Sequence, residues 1–589
     1  MKKIISSISY IIISIFIFLF LTMEVSHYRY TLYFIEYTLL FLIIYAFFTF
    51  KKKDFVLDKY RLILSIIFGF TFVSGRSYFV NNCFLLHMSK IGLIITILQF
   101  IIMSILFYIL SLTHRKFKLP NNPFVKILDH GFCLTFCILL ITWIPYMILC
   151  YPCFIQIDSM LELAQYLKIP NQLTNDVTLL NVNQLITSHH SILYTYLLGI
   201  FSKIININIG LFILNTLQTI FLIFCISKML LFLKERTNKI VVSYLYLLLC
   251  LFPFFPFMGT ILEKDTLFMA VFILFAIELY KFLNKENYNL FIFIGTACLL
   301  LILRNNFKYV ILPFLIVLII KEKKMLLMLL CLLFTIVGYN GLCNYLSITP
   351  GSKAEAYSVP ILQVSKCVIE YGDEFSNDEK EIIDNVLEYD KIEKLFNPKN
   401  ADDLKQSYAR RKPTDEEVKD FFKLWIKLGK RHPITYMESF FNKNMGYFFQ
   451  FNQSMITEFR GYGIRNDFTT NDTKHNWDHL KLDFSKFGFH PNKTIIRISK
   501  NVEDIIHTIF NLPIIGLLTL APTYIWMMII TIAYLIKKRD SNNLLYMLFL
   551  LLYFGTILLS PVDGIYQFRY IYPIFVSSPI FYLMWKKNK

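Results

Sequence analysis

Four polar clusters carry the groups in this chain that could move a proton or hold a phosphate. Asp158 stands first, in the stretch YPCFIQIDSMLELAQ after the apolar run Gly131 to Cys150, and the paired imidazoles His189 and His190 close the same polar segment. The others are Glu263-Lys264-Asp265, then Arg304-Asn305-Asn306, then Asp563 with Gln567 and Arg569. A carboxylate accepts a proton from a hydroxyl, which is general-base work. Lys and Arg hold phosphate oxygens, Arg through a bidentate fork. Both kinds in one site suit a hydroxyl attacking a lipid-phosphate donor, with cations stabilising the leaving phosphate while Asp158 takes the proton. Adjacent histidines on one helix point in different directions. His189 and His190 therefore stand open as metal ligands, as hydrogen-bonding groups for substrate or phosphate, or as structural residues. Asp158 with Glu263 and Asp265 has the oxygen chemistry for a divalent ion such as Mg or Mn, although no motif demands one.

These clusters must be positioned by membrane helices. Hydrophobic residues make up 56% of the chain and mean hydropathy is +0.53. Apolar runs near the ~20 residues needed to cross a bilayer recur along its length. The net charge of +18 lies largely in short blocks beside those runs, at Lys2-Lys3, Lys51 to Lys53, Arg115 to Lys118, Lys234 to Arg236, Lys321 to Lys324, Lys537 to Arg539 and Lys586 to Lys589. That is the pattern of cytoplasmic loops, so the basic character reports topology and offers nothing to nucleic acid. The eleven cysteines fall mostly inside apolar runs, without metal-ligand spacing.

Holding every basic block on the cytoplasmic side predicts an all-α polytopic protein of roughly fourteen spans with both termini inside. Residues 1–130 form a four-helix transmembrane region and 131–343 the core, with a catalytic outer loop at 151–190. Residues 344–511 form a mostly helical extracytoplasmic domain, and 512–589 a three-helix region. The stretch Ser191 to Lys203 is too short to span and reads as an interfacial or re-entrant helix. In the polar domain, Ser376 with Glu379 and Thr414 with Glu417 predict capping boxes. The second helix continues through Val418, Phe421, Phe422 and Trp425, a stripe expected to pack on the membrane domain. It should stop near Gly429 and Pro433. With this topology the four clusters meet at the outer ends of non-adjacent spans. A lone Arg304 or Lys264 there would ordinarily snorkel; four clusters on one face argue for a hydrated site.

At these residues the chain resembles bacterial membrane glycosyltransferases of the GT-C fold, related to protein O-mannosyltransferases and lipid A aminoarabinose transferases, in a branch with extra N-terminal helices. The resemblance rests on YPCFIQIDSMLELAQ, SHHSILYTYLLGIF, EKDTLF, LRNNFKYV, QFRYIYP and WIKLGKRHPITYMESFF, in that topology. It implies a polyprenyl-phosphate sugar donor, an acceptor in the cell envelope (a glycan, lipid or protein) and a bacterial plasma membrane. It implies that Asp158 is the base, that Glu263 or Asp265 is the second acid, and that Arg569 lies near the donor phosphate. Lys264, His189, His190, Arg304, Asn305 and Gln567 join Arg569 as expected substrate-binding residues. The usual Pro after the paired histidines is replaced by Ser191-Ile192, which leaves the local helix start open. A glycan polymerase or ligase is the alternative within enzymes. A flippase or transporter of lipid-linked sugars is the alternative outside them, and it would call for internal repeats and polar groups near the midplane. No repeat is visible.

Overall fold

Helices dominate the computed structural model, which describes residues 39–46, 57–81, 90–112, 119–169, 186–351, 353–449, 484–488, 492–510, 512, 514–562 and 568–585. Among these, six helices are long and apolar enough to cross a membrane: Gly92–Leu112, Phe132–Leu149, Ile207–Arg236, Lys264–Leu283, Lys323–Tyr345 and Ser541–Leu558. The expected spans at Ile4 to Thr22 and most of Tyr33 to Phe50 lie outside the described residues.

In chain order the elements used below are α1 (Lys59–Asn81), α2 (Lys90–Leu112), α3 (Phe132–Leu149), β1 (Phe154–Ile155), α4 (Ile157–Tyr166), α5 (Ile192–Ser202), α6 (Ile207–Arg236), α7 (Lys239–Leu251), β2 (Ile261–Leu262), α8 (Lys264–Leu283), α9 (Leu290–Leu303), α10 (Lys308–Lys321) and α11 (Leu326–Tyr345). After them come α12 (Ser358–Tyr371), α13 (Asn377–Val386), α14 (Asp402–Arg411), α15 (Asp415–Arg431), α16 (Pro433–Asn444), α17 (Lys493–Phe510), α18 (Ala521–Lys538), α19 (Ser541–Leu558) and α20 (Tyr572–Trp585).

Helix α8 is the axis of the bundle. Its apolar window is 83% buried, against 17% for the window that includes α11, so α8 is walled by protein while α11 lies at the periphery. A helix apolar on all sides is buried on all sides. Phe268, Phe272 and Phe275 of α8 interlock with Phe307 and with Phe549 of α19. Helices α6, α9, α19 and α20 pack around it. The α1–α2 hairpin joins from the side, where Phe68 and Phe107 pack on Trp526 of α18.

Residues 353–444 form a second helical unit with its own core, including Ile361, Leu362, Val364, Ile383, Leu404, Phe421, Leu424 and Leu428. Both capping boxes are present, at Ser376 with Glu379 and at Thr414 with Glu417, and α15 stops at Arg431 before Pro433. One expectation is corrected. The stripe Val418, Phe421, Phe422 and Trp425 packs inside this unit rather than on the membrane bundle, because α12 and α13 offer it complementary apolar faces. Trp425 Nε1 donates to Gln363 Oε1 of α12 at 2.9 Å. The chain rejoins the bundle at Tyr447 and Phe448, which meet Phe554 edge-on, and α17 adds Ile506 and Phe510 to the main core.

Candidate active site

Two short strands decide where the site lies. β1 pairs in parallel with β2, Phe154 opposite Ile261 and Ile155 opposite Leu262. Each strand runs at once into a helix, β1 into α4 and β2 into α8. The first turns of α4 and α8 are therefore held side by side, which brings Asp158 beside Glu263, Lys264 and Asp265 across a gap of more than a hundred residues. Asp158 and Asp265 each occupy the first turn of a helix, where unpaired backbone N–H groups favour negative charge. Gln218 of α6 braces the pair, donating from Nε2 to the Ile261 carbonyl at 2.9 Å.

Lys264 Nζ lies 3.2 Å from Asp158 Oδ2 and 3.2 Å from His190 Nδ1. Arg569, in the turn before α20, reaches Asp158 Oδ2 at 3.0 Å, pairs with Glu263, and stands 3.9 Å from Asp265 Oδ2. Arg304, at the C-terminal end of α9, pairs with Asp265 through Nε at 2.9 Å and donates from Nη1 to Tyr553 Oη at 2.6 Å. The Tyr570 ring lies against both guanidiniums, 5.1 Å from that of Arg304 and 5.6 Å from that of Arg569, an arrangement that favours cations. Glu263, Lys264, Asp265 and Arg569 are all buried, whereas the Asp158 side chain stays 24% exposed. Asp158 is the acid a substrate can reach.

The imidazoles sit on a loop, not a helix. That loop pairs with the segment leading into the second unit, Ser188 N donating to Thr349 O at 2.8 Å and Thr349 N to Ile186 O at 3.0 Å. The two rings meet edge-on at 4.5 Å. Burial first, then the Lys264 charge, hold the His190 imidazole well below its ordinary range, so it is neutral at neutral pH. An ammonium can only donate; His190 Nδ1 therefore accepts from Lys264 and the ring proton sits on Nε2. Asn305 Nδ2 reaches the Ser188 carbonyl at 3.5 Å and ties this loop to the end of α9. Asp563 and Gln567 lie outside the described residues.

Burial pushes the Asp158 carboxyl up, but Arg569 and Lys264 outweigh it and hold the group well below the usual carboxylate range. Glu162, one turn along α4, has no such cover. It is fully buried, and neither carboxyl oxygen has a hydrogen-bond or ion-pair partner among the described residues. Burial pushes its carboxyl up to about 8, against the pull of Lys264. Sequence reasoning alone passes over Glu162, yet its spacing is a signal, since residues four apart on a helix share a face. As for a divalent ion, no group of three or more His, Cys, Asp or Glu is arranged to hold one among the described residues. Asp158, Glu263 and Asp265 are taken up by Lys and Arg head groups instead.

The family described as "Family of unknown function (DUF6020)" matches residues 132–589, from α3 onward, and takes in every site residue above. Neither a curated protein nor a solved structure matches the chain.

Proposed function

We propose that this chain, which belongs to the DUF6020 family, is a membrane glycosyltransferase that moves a sugar from a polyprenyl-phosphate donor to a cell-envelope acceptor. Transfer takes place at the outer face of a bacterial plasma membrane, in a GT-C-like bundle of about fourteen spans with both termini cytoplasmic. The observation that carries the reading is a partly exposed carboxylate, Asp158, gripped by two buried cations at the end of a bundle of apolar helices.

In the resting site Lys264 and Arg569 keep Asp158 ionised but make it a weak base. A donor phosphate competes for the same two cations. Once they turn to the phosphate, Asp158 loses its counter-ions and its proton affinity rises. The base is then strengthened only when a donor is in place. The acceptor oxygen attacks the anomeric carbon, and the bond from that carbon to the phosphate oxygen breaks with its electron pair going to the phosphate. The hydroxyl proton passes to Asp158. Lys264 and Arg569, buried and turned to the phosphate before the bond breaks, stabilise the charge that develops on it.

The test is sugar transfer by the purified protein in detergent with a panel of polyprenyl-phosphate sugars, comparing wild type and Asp158→Asn. Donor consumption by the wild type and its loss in a folded variant is the expected result. Consumption unchanged in the variant removes Asp158 as the base. Movement of lipid-linked sugar across liposomes with no consumption of any donor replaces the enzyme by a transporter.

A further inference from the structure

We infer that Glu162 holds a retained proton in the resting site, and that its neutrality keeps Lys264 and Arg569 available to an incoming phosphate anion. The inference rests on the phosphate-holding reading above. Glu162 is then a positioning residue, acting through the cations rather than touching the substrate.

The argument begins with charge. Among the described residues four carboxyl groups (Asp158, Glu162, Glu263 and Asp265) share the buried cluster with three cations, Lys264, Arg304 and Arg569. His190 is neutral, so one negative charge is left over if every acid is ionised. An uncompensated charge costs several kcal/mol in such surroundings, and a group relieves it by taking a proton. Geometry says which acid does so. Among the described residues Asp158, Glu263 and Asp265 each have a Lys or Arg in contact, and Glu162 has none.

The groups around Glu162 come from five directions. Asp158 shares its helix, Lys264 and Asp265 come from α8, and Arg569 from the turn before α20. Tyr194 of α5 and Tyr339 of α11 complete the set. The first of these tyrosines is already committed, donating from Oη to Gln218 at 2.9 Å. Were Glu162 to ionise, Lys264 would be drawn to it and the cluster would become net anionic. Both changes oppose an arriving phosphate.

The experiment has two arms on the full chain in detergent. In the first, infrared difference spectra during an alkaline pH jump should lose the carbonyl stretch of a protonated carboxylic acid, and Glu162→Gln should lack that band from the start. In the second, binding of a short-chain isoprenyl monophosphate is measured against pH, above the second ionisation of phosphate monoesters at about pH 6. Wild-type affinity should fall beyond the Glu162 titration by up to about tenfold per pH unit. The isosteric Glu162→Gln protein should bind with a flat profile. Wild-type binding that ignores pH, a Gln variant with the wild-type slope, or a band that survives Glu162→Gln each overturns the proposal and leaves the phosphate site standing. Absence of isoprenyl phosphate binding at every pH overturns the phosphate reading, and the role of Glu162 with it.

Discussion

Arg569 touches Asp158 and Glu263 and stands within reach of Asp265, and its side chain is only 9% exposed. Removing it as Arg569→Met strands Glu263, itself 1% exposed, as a buried carboxylate with no other cation paired to it among the described residues. Breaking a buried pair from one side typically costs about 3–5 kcal/mol. We expect Arg569→Met to lower unfolding stability in detergent by that order, and the double variant Arg569→Met/Glu263→Gln to recover part of it. A double variant no better than the single one would mean that Glu263 does not depend on Arg569. Arg569→Lys keeps the charge but loses the fork, so transfer should drop while stability holds better than in the Met variant. The two acids of α4 pull stability in opposite directions. The folded-state range of Asp158 is depressed, so its contribution is present above its unfolded value of 3.8 and is lost as pH falls. The Glu162 value is raised, so stability is lost as pH rises from the unfolded 4.5 toward about 8. Glu162→Gln should therefore remove the decline in unfolding stability between about pH 4.5 and about 8 and leave the Asp158-linked loss below pH 3.8 unchanged.

At the scale of elements, the site depends on two strand residues meeting two others. Gln218→Leu leaves the Ile261 carbonyl and the Tyr194 hydroxyl without their partner. Each such orphan costs about 1–3 kcal/mol. The expected outcome is lower stability and a larger loss of activity than the stability change explains, read from transfer at a temperature where both proteins are folded. The turn from α5 into α6 is equally tight. A Cβ on Gly210 would lie 1.8 Å from the Phe201 carbonyl oxygen, a backbone atom that cannot swing aside. Gly210→Ala should push α5 off α6 and destabilise the protein by about 1–3 kcal/mol or more. An unfolding midpoint equal to wild type would contradict that packing.

Across the whole molecule, the second helical unit is fastened to the bundle at one end of α19. Lys443 Nζ donates to the Leu558 carbonyl at 2.8 Å and to the Ser560 carbonyl at 2.7 Å, and Ala401 N donates to the Pro561 carbonyl at 2.9 Å. A lysine on the free carbonyls of a helix end satisfies them and complements their negative charge. The connection into the same unit also holds the His189-His190 loop. Lys443→Met should loosen the unit, which limited proteolysis between α11 and α12 would detect, while the bundle keeps its thermal transition. Transfer should fall with it if the unit presents the acceptor.

Much of this architecture is legible in the amino-acid sequence. The run Gly131 to Cys150 forms α3 within a residue of its expected ends, because apolar length is a local property, whereas the apolar runs Ile240 to Thr260 and Leu512 to Ile536 are helical only to Leu251, ahead of Pro253, and only from Ala521, beside Pro522. Ser376 with Glu379 and Thr414 with Glu417 are readable for the same reason, a cap being a contact across three residues. Asp158, Glu263, Lys264, Asp265, Arg304 and Arg569 stand out by type as candidates at helix ends, being charges beside apolar runs. Only the tertiary structure decided which of them touch. The β1–β2 pairing joins segments a hundred residues apart, and nothing in FIQID or ILEKD alone announces a partner. It also decided that the α15 stripe faces its own unit, since an apolar face records that it will be covered but not by what. Above all it decided the surroundings of Glu162: a lone Glu on a short helix reads as a solvated charge, and only its neighbours determine that it is buried with no cation paired to it among the described residues.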